Sequence, residues 1–230
     1  MDRIILIETS AAVCSTALVQ DGRIVCSRLC EDARQQASLT APMIKEMLDE
    51  CGISARDCNA VCVSKGPGSY TGLRVGVSSA KGLCFGAGLP LLAVGTLDLL
   101  AAQAVDEGVI PQDCKFIVPL IDARRMEVYT AVFSPDGKRL DDVRSLIIEP
   151  GCFDAQLSQG AVLFIGDAVN KCREVLDSPN AYFHQCNPLA GSMLRPALEA
   201  YKEKRFEDIA YFEPFYLKQF ITTVSKKKLF

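Results

Sequence analysis

Residues 64–82 read Ser64-Lys65-Gly66-Pro67-Gly68-Ser69-Tyr70-Thr71-Gly72-Leu73-Arg74-Val75-Gly76-Val77-Ser78-Ser79-Ala80-Lys81-Gly82. The run before them, Ala60-Val61-Cys62-Val63, has the length and composition of a short buried strand. Gly66 and Gly68 permit backbone angles closed to other residues, and Pro67 stiffens the turn between them. Ser69 and Thr71 are both suitable N-caps for a helix from about Gly72 to Phe85. Strand, glycine turn and helix N-terminus is a phosphate-binding geometry. The spacing fits neither phosphate template, however. Gly72-Leu73-Arg74 lacks the Gly-Lys-Ser/Thr ending, and three residues separate Gly68 from Gly72 where a dinucleotide loop has two. The turn therefore reads as structural.

The helix behind the turn is unusual in its glycines. Gly72, Gly76, Gly82 and Gly86 lie in or beside it, each costing about 1 kcal/mol relative to alanine in a helix interior. Small residues let a second backbone come close. Leu73, Val77, Ala80 and Cys84 form a separate apolar stripe, while Arg74, Ser78 and Lys81 form a polar one. The pattern predicts a helix covered on more than one side, with Gly72, Val75, Gly76, Ser79 and Gly82 as a partner-binding face. Arg74 and Lys81 are candidate anion contacts. A bulky residue at Gly76 or Ser79 is expected to block docking without disturbing the fold.

An earlier helix is predicted from about Leu39 to Cys51, with Ser38 or Thr40 as cap, Gly52 past its end, and Pro42 pulling the start toward Ala41. Leu39, Met43, Ile44, Met47, Leu48 and Cys51 cover an arc of about 180°, wider than the roughly 100° that one core contact uses. Ile44, Leu48 and Cys51 can face a sheet, which leaves Leu39, Met43 and Met47 for either a deeper core or a partner helix.

Length and composition set the outer bounds. The 230 residues suffice for one large domain or two lobes. A net charge of −3 excludes a general polyanion binder, and the only basic run is Lys226-Lys227-Lys228. The eleven cysteines are odd in number, lack a Cys-x-x-Cys pair and fall partly in apolar runs, so they read as small buried hydrophobes in a reducing compartment. With no signal-like start and no apolar run near ~20 residues, a cytoplasmic, membrane-free protein is expected.

In chain order, Ile4-Ile5-Leu6-Ile7 is a strand buried on both faces, followed by a polar turn at Glu8-Thr9-Ser10. Strands at 13–19 and 23–29 flank the hairpin signal Asp21-Gly22. Then come the two helices separated by the strand at 60–64, a strand at 91–94 and a helix from Thr96. The second half begins a similar run: strands at 116–121 and 127–133, a third ending at Ile148, a short helix, a strand at 161–165, a helix at 168–176 and a last helix from Asn187-Pro188 to about Lys204. Two successive βββαβα halves, the second less regular, predict a duplicated α/β architecture of the actin-like, ribonuclease-H-like kind. They divide the chain into a first lobe (1–105) carrying the interface helices, a second lobe (106–217) whose last helix can pack back on the first, and a basic tail (218–230).

Catalytic groups are hard to find. An actin-like ATPase clasps phosphates with a glycine-bearing turn in each lobe, and neither Glu8-Thr9-Ser10-Ala11-Ala12 nor Asp122-Ala123-Arg124-Arg125 has a glycine. His184 is the single histidine, too few for the common zinc and iron sites, and no general base pairs with Ser10 or Ser69. No catalytic or metal-binding residue is assigned. Arg124 and Arg125 are candidate anion contacts, against the plainer reading of a salt-bridged loop.

The central motif, from Gly66-Pro67-Gly68-Ser69-Tyr70-Thr71-Gly72-Leu73-Arg74-Val75-Gly76 to Ala80-Lys81-Gly82-Leu83, resembles the signature of the TsaB (YeaZ) family. Ile7-Glu8-Thr9-Ser10 resembles its opening, Pro119-Leu120-Ile121-Asp122-Ala123-Arg124-Arg125 with Glu127-Val128-Tyr129 its second-half motif, and Glu213-Pro214-Phe215-Tyr216-Leu217-Lys218 its C-terminal segment. The resemblance implies an actin-like fold and a part in forming threonylcarbamoyladenosine on tRNAs that read A-starting codons. Family members are similar to the catalytic subunit TsaD but act as non-catalytic partners. They bind TsaD as a heterodimer, join the ATPase TsaE in a ternary complex, and pair with themselves through the first-lobe helices when TsaD is absent. No intrinsic cofactor is then expected: ATP and a metal ion belong to the partner subunits, and tRNA is reached indirectly. Two departures stand out: Glu8 where aspartate is usual, and Arg34-Gln35-Gln36-Ala37-Ser38 where many members carry a histidine. The rival reading is a stand-alone actin-like ATPase or phosphotransferase. A peptidase would need a nucleophile–base pair or metal site that the sequence does not present.

Overall fold

The strand β1 (Arg3–Glu8) is buried from Ile4 onward, as an unbroken apolar run requires of a strand covered on both faces. It pairs antiparallel with β2 (Cys14–Gln20), which turns at Asp21-Gly22 into β3 (Arg23–Cys30), and parallel with β4 (Ala60–Gly66). With β5 (Leu91–Gly95) these strands form one sheet in the order β3-β2-β1-β4-β5. The computed structural model describes residues 2–218, so the tail expected at 219–230 lies outside the described residues.

A second sheet repeats the plan. β6 (Cys114–Asp122) pairs antiparallel with β7 (Glu127–Thr130) and parallel with β9 (Ala161–Gly166), with β8 (Arg144–Ile147) and β10 (Ala181–Gln185) at the edges. Its order, β10-β9-β6-β7-β8, is the first sheet's order element for element. The duplication read from the element order is therefore present in the pairing.

The connections distinguish the halves. Between β3 and β4 runs α1 (Gln36–Glu50), and between β4 and β5 runs α2 (Tyr70–Ala87). The matching second-half connections hold only α4 (Asp154–Leu157) and α5 (Val169–Cys172), one turn each. The third pair, α3 (Thr96–Asp106) and α6 (Leu194–Lys202), lies between the sheets. Leu97, Leu100, Met193, Ala197 and Ala200 there share one core with Ile4 and Leu6 of the first sheet and Ile117 and Leu163 of the second. A second core fills the space between the first sheet and α1 and α2, and a third lies behind the second sheet. After α6 the chain returns over the first lobe, where Glu207 bridges Leu91 and the Phe215 amide donates to the Lys65 carbonyl (2.7 Å), and then reaches the second, where Lys218 pairs with Glu127.

Three expectations need correction. α1 starts at Gln36, well before Ala41, and includes Pro42. The start is set upstream by Asp32, whose carboxylate accepts from the Arg34 amide to cap a 3-10 turn (Ala33–Gln35); the Ser38 and Thr40 hydroxyls instead donate back to Gln35 and Gln36 carbonyls. The predicted helix at 168–176 closes after Cys172. Strand β10 was not anticipated: Tyr182 and His184 interrupt its apolar character, as suits an edge strand with a wet side.

Candidate protein-interaction face

The N-terminus of α2 is plugged by the chain's own β1–β2 turn. Ser69 caps the helix by accepting from the Gly72 amide, while its own amide donates to the Ser10 carbonyl (2.7 Å). The Thr9 hydroxyl donates to the Gly72 carbonyl (2.7 Å). A Cβ at Gly72 would overlap the Thr9 carbonyl oxygen, one at Gly76 the Thr9 hydroxyl, and one at Gly68 the Ser10 carbonyl. Gly72 and Gly76 are thus small so that the turn can lie on the helix, which corrects their assignment to a partner helix. The turn also occupies the space in which a helix N-terminus would receive a phosphate. Gly76→Leu is accordingly expected to destabilise the fold, by about 3 kcal/mol, instead of leaving it intact. A denaturant midpoint unchanged from wild type would contradict this packing.

Farther along α2 the glycines have a different setting. Gly82 and Gly86 are exposed, and among the described residues a Cβ on either would meet nothing within 4 Å. With half-buried Val75 and Ser79 they make a smooth outer stripe, flanked by exposed Ser78 and by Phe85, which is 87% exposed. Beside the stripe a groove of about 450 Å³ separates α2 from α1, walled by Ala41, Ile44, Lys45 and Leu48 on one side and Ser79, Gly82 and Leu83 on the other. Nothing among the described residues accounts for two glycines in the exposed half of a helix, where each costs about 1 kcal/mol.

The α1 residues named from the sequence lie elsewhere. Met47 is fully buried in the core with Ile5, Leu18 and Val61; Met43 is buried beside Cys14 and Cys30, with Leu39 half-buried against them. α1 rests across β2 and β3, so the sheet takes up both flanks of the wide apolar arc. The flank bordering the groove is Ala41, Ile44, Lys45 and Leu48, a set that the wheel assigned to the sheet or passed over.

The basic candidates divide as well. Lys81 is not available to an anion: its ammonium donates to the carbonyls of Ala210 (3.2 Å) and Phe212 (3.1 Å), tying down the returning C-terminal segment. Arg74 is exposed, lies 4.1 Å over the Tyr70 ring and donates to the Tyr216 hydroxyl. Arg124 and Arg125 form the β6–β7 turn with φ of 73° and 51°, a left-handed conformation costing about 1–2 kcal/mol per residue. The turn is built on Lys171, which pairs with Asp122 and donates to the Arg125 and Glu127 carbonyls. The expected salt-bridged loop exists, but lysine from α5 supplies the cation and both arginines project outward.

At the end of β1, Glu8 is sealed from solvent and one carboxylate oxygen accepts from the Ser10 amide. Burial pushes its pKa up from 4.5 to about 7. Its second oxygen and the Ser10 and Ser64 hydroxyls have no partner among the described residues, although the two hydroxyls face the carboxyl closely enough to favour its charged form. Asp167, opposite, is raised to about 6 by burial and by Asp122. A hollow of about 690 Å³ at the carboxyl ends of β4 and β5 is lined by four cations (Lys65, Arg139, Arg195, Arg205) and four acids (Asp98, Asp136, Asp142, Glu199), leaving no net charge for phosphates. His184 bonds Glu107 at 2.9 Å, and among the described residues no three His, Cys, Asp or Glu side chains are placed to share a metal. No described helix is long and apolar enough to cross a membrane.

A family model described as TsaD, tRNA N6-adenosine threonylcarbamoyltransferase, matches residues 31–212. The chain belongs to this family. Within it, the resemblance to the TsaB (YeaZ) group extends over the whole chain. A tRNA threonylcarbamoyladenosine biosynthesis protein TsaB from Escherichia coli K12 is 29% identical over 99% of this chain and 98% of its own. YeaZ from Pseudomonas aeruginosa superposes with a TM-score of 0.80 at 26% identity, covering 94% of this chain and 100% of that one. Component A of the (R)-2-hydroxyglutaryl-CoA dehydratase of Acidaminococcus fermentans, at 12% identity and TM-score 0.52 over 89% of this chain and all of its own, shares the fold alone. The fold is α/β and actin-like.

Proposed function

We propose that the protein is a non-catalytic subunit in the formation of threonylcarbamoyladenosine on tRNA, and that it docks onto a TsaD subunit through the α1–α2 face. The observation that carries this reading is the outer half of α2. There, exposed Gly82 borders an apolar groove and exposed Gly86 follows Phe85, itself exposed, an arrangement that weakens the isolated helix and suits close approach by another helix. The names of the full-length relatives supply the pathway. The non-catalytic part of the reading is supported by the β1–β2 turn that fills the α2 N-terminus and by the sealed, proton-retaining Glu8. On this reading ATP and the metal ion are held by partner subunits, TsaE joins the TsaD-bound form, and the α1–α2 face pairs with a second copy when TsaD is absent. The protein then works in the cytoplasm, where its tRNA substrates are.

The test is the threonylcarbamoyladenosine content of tRNA from cells depleted of this chain. The modification is expected to collapse on depletion and to return with the wild-type gene. Modification that persists undiminished without the chain would end this reading, and ATP turnover by the chain alone would favour the phosphotransferase alternative.

A further inference from the structure

The family resemblance implies that tRNA is reached indirectly, yet the fold sets three of its exposed arginines, Arg74, Arg124 and Arg125, along one surface that crosses both lobes. Arg74 stands on α2, held over Tyr70 and against Tyr216, whose rings are 4.9 Å apart. Two residues beyond Tyr216, Lys218 reaches Glu127 at the start of β7. The Glu127 amide in turn donates to the Arg124 carbonyl (3.1 Å). The path from Arg74 through Tyr216, Lys218 and Glu127 to Arg124 and Arg125 is therefore continuous.

The charges along it do not cancel. Lys218 pairs with Glu127 and Lys171 with Asp122, whereas Arg74, Arg124 and Arg125 have no acidic partner among the described residues. Glu213, exposed three positions before Tyr216, is the opposing charge within residues 210–218. The left-handed backbone at both Arg124 and Arg125 is a further sign of purpose. A tight turn there is most cheaply made with glycine or asparagine, and strain kept in exposed residues points to a use for their side chains. Guanidinium groups make forked hydrogen bonds to phosphate oxygens, and aromatic rings beside them suit nucleic acid.

We propose that the surface carrying Arg74, Arg124 and Arg125 contacts the phosphate backbone of RNA directly. The choice of RNA as the polyanion rests on the function proposed above; the location of the surface does not, and its Arg124–Arg125 end is separate from the α1–α2 face, which Arg74 adjoins on α2. The probe is a labelled, unmodified tRNA transcript that reads an A-starting codon, titrated with the full-length chain at low salt and followed by fluorescence anisotropy. Arg124→Glu with Arg125→Glu, and separately Arg74→Glu, are compared with wild type, each after its melting temperature and its binding to TsaD have been measured. The double variant is expected to weaken tRNA binding at least tenfold and to lower the dependence of log affinity on log salt by about 1.5, with TsaD binding unchanged. Absence of tRNA binding by wild type, or equal binding by the variants, would overturn the proposal while leaving the TsaD reading intact. So would equal displacement of tRNA by polyglutamate, or loss of TsaD or TsaE binding in the double variant, either of which would make this a docking surface for an acidic protein.

Discussion

Gly82→Trp is expected to weaken binding to TsaD at least 100-fold while leaving the melting temperature the same or slightly higher. The two halves of the expectation have independent causes. Among the described residues, no atom lies within 4 Å of a Cβ at this position, and tryptophan is a better helix residue than glycine by a few tenths of a kcal/mol. In the complex, the indole would stand in the groove between α1 and α2, where a docked helix must lie. Losing that close approach costs about 3 kcal/mol, the equivalent of a hundredfold in affinity. The contrast with Gly76 makes the experiment informative. Both glycines lie on α2 and the same logic of small residues singles them out, but Gly76 is covered by Thr9 and Gly82 by none of the described residues. A Gly82→Trp variant that is folded and binds TsaD like wild type would remove the α1–α2 face from the account.

The second large effect is thermodynamic. Glu8 retains its proton in the folded protein up to about pH 7, whereas an unfolded glutamate releases it near 4.5. Between these values the folded state binds more protons than the unfolded state, so stability falls as pH rises, by about 3 kcal/mol in all. Above pH 7 the buried carboxylate is charged in both states and the loss is complete. Glu8→Gln removes the titration. Its amide can donate to the Ser10 and Ser64 hydroxyl oxygens, which have no other partner among the described residues. Urea unfolding at pH 5 and pH 8 should therefore show similar stability for the two proteins at the lower pH and an advantage of about 3 kcal/mol for the variant at the higher. A variant less stable than wild type at pH 8 would mean that the carboxylate is stabilised by its surroundings.

Much of the architecture could be read from the chain because its signals are local. The apolar run of β1, the Asp21-Gly22 hairpin and the Ser69 cap each act within a few residues, and the repeated element order revealed the duplication. The site was less legible because it depends on what lies across from each residue. A helical wheel places Met43 and Met47 on a flank, but it contains no information on how broad a sheet α1 rests upon; β2 and β3 together take up both sides of the helix. Four glycines in one helix look alike in sequence. Only the position of Thr9, more than sixty residues away, separates the two that serve the fold from the two that face outward. Lys81 and Arg125 likewise differ only in their surroundings: carbonyls of the returning C-terminal segment hold one, and Lys171 frees the other by taking over the turn.

The central claim is that the α1–α2 face meets TsaD, and backbone hydrogen exchange read by mass spectrometry on this chain, alone and mixed with TsaD from the same organism, tests it most directly. The account predicts new protection concentrated in peptides spanning residues 37–49 of α1 and 75–87 of α2, with the β6–β7 turn at 122–127 unchanged. Protection confined to the hollow at the ends of β4 and β5, or to the second lobe, with α1 and α2 exchanging as in the free chain, would contradict it.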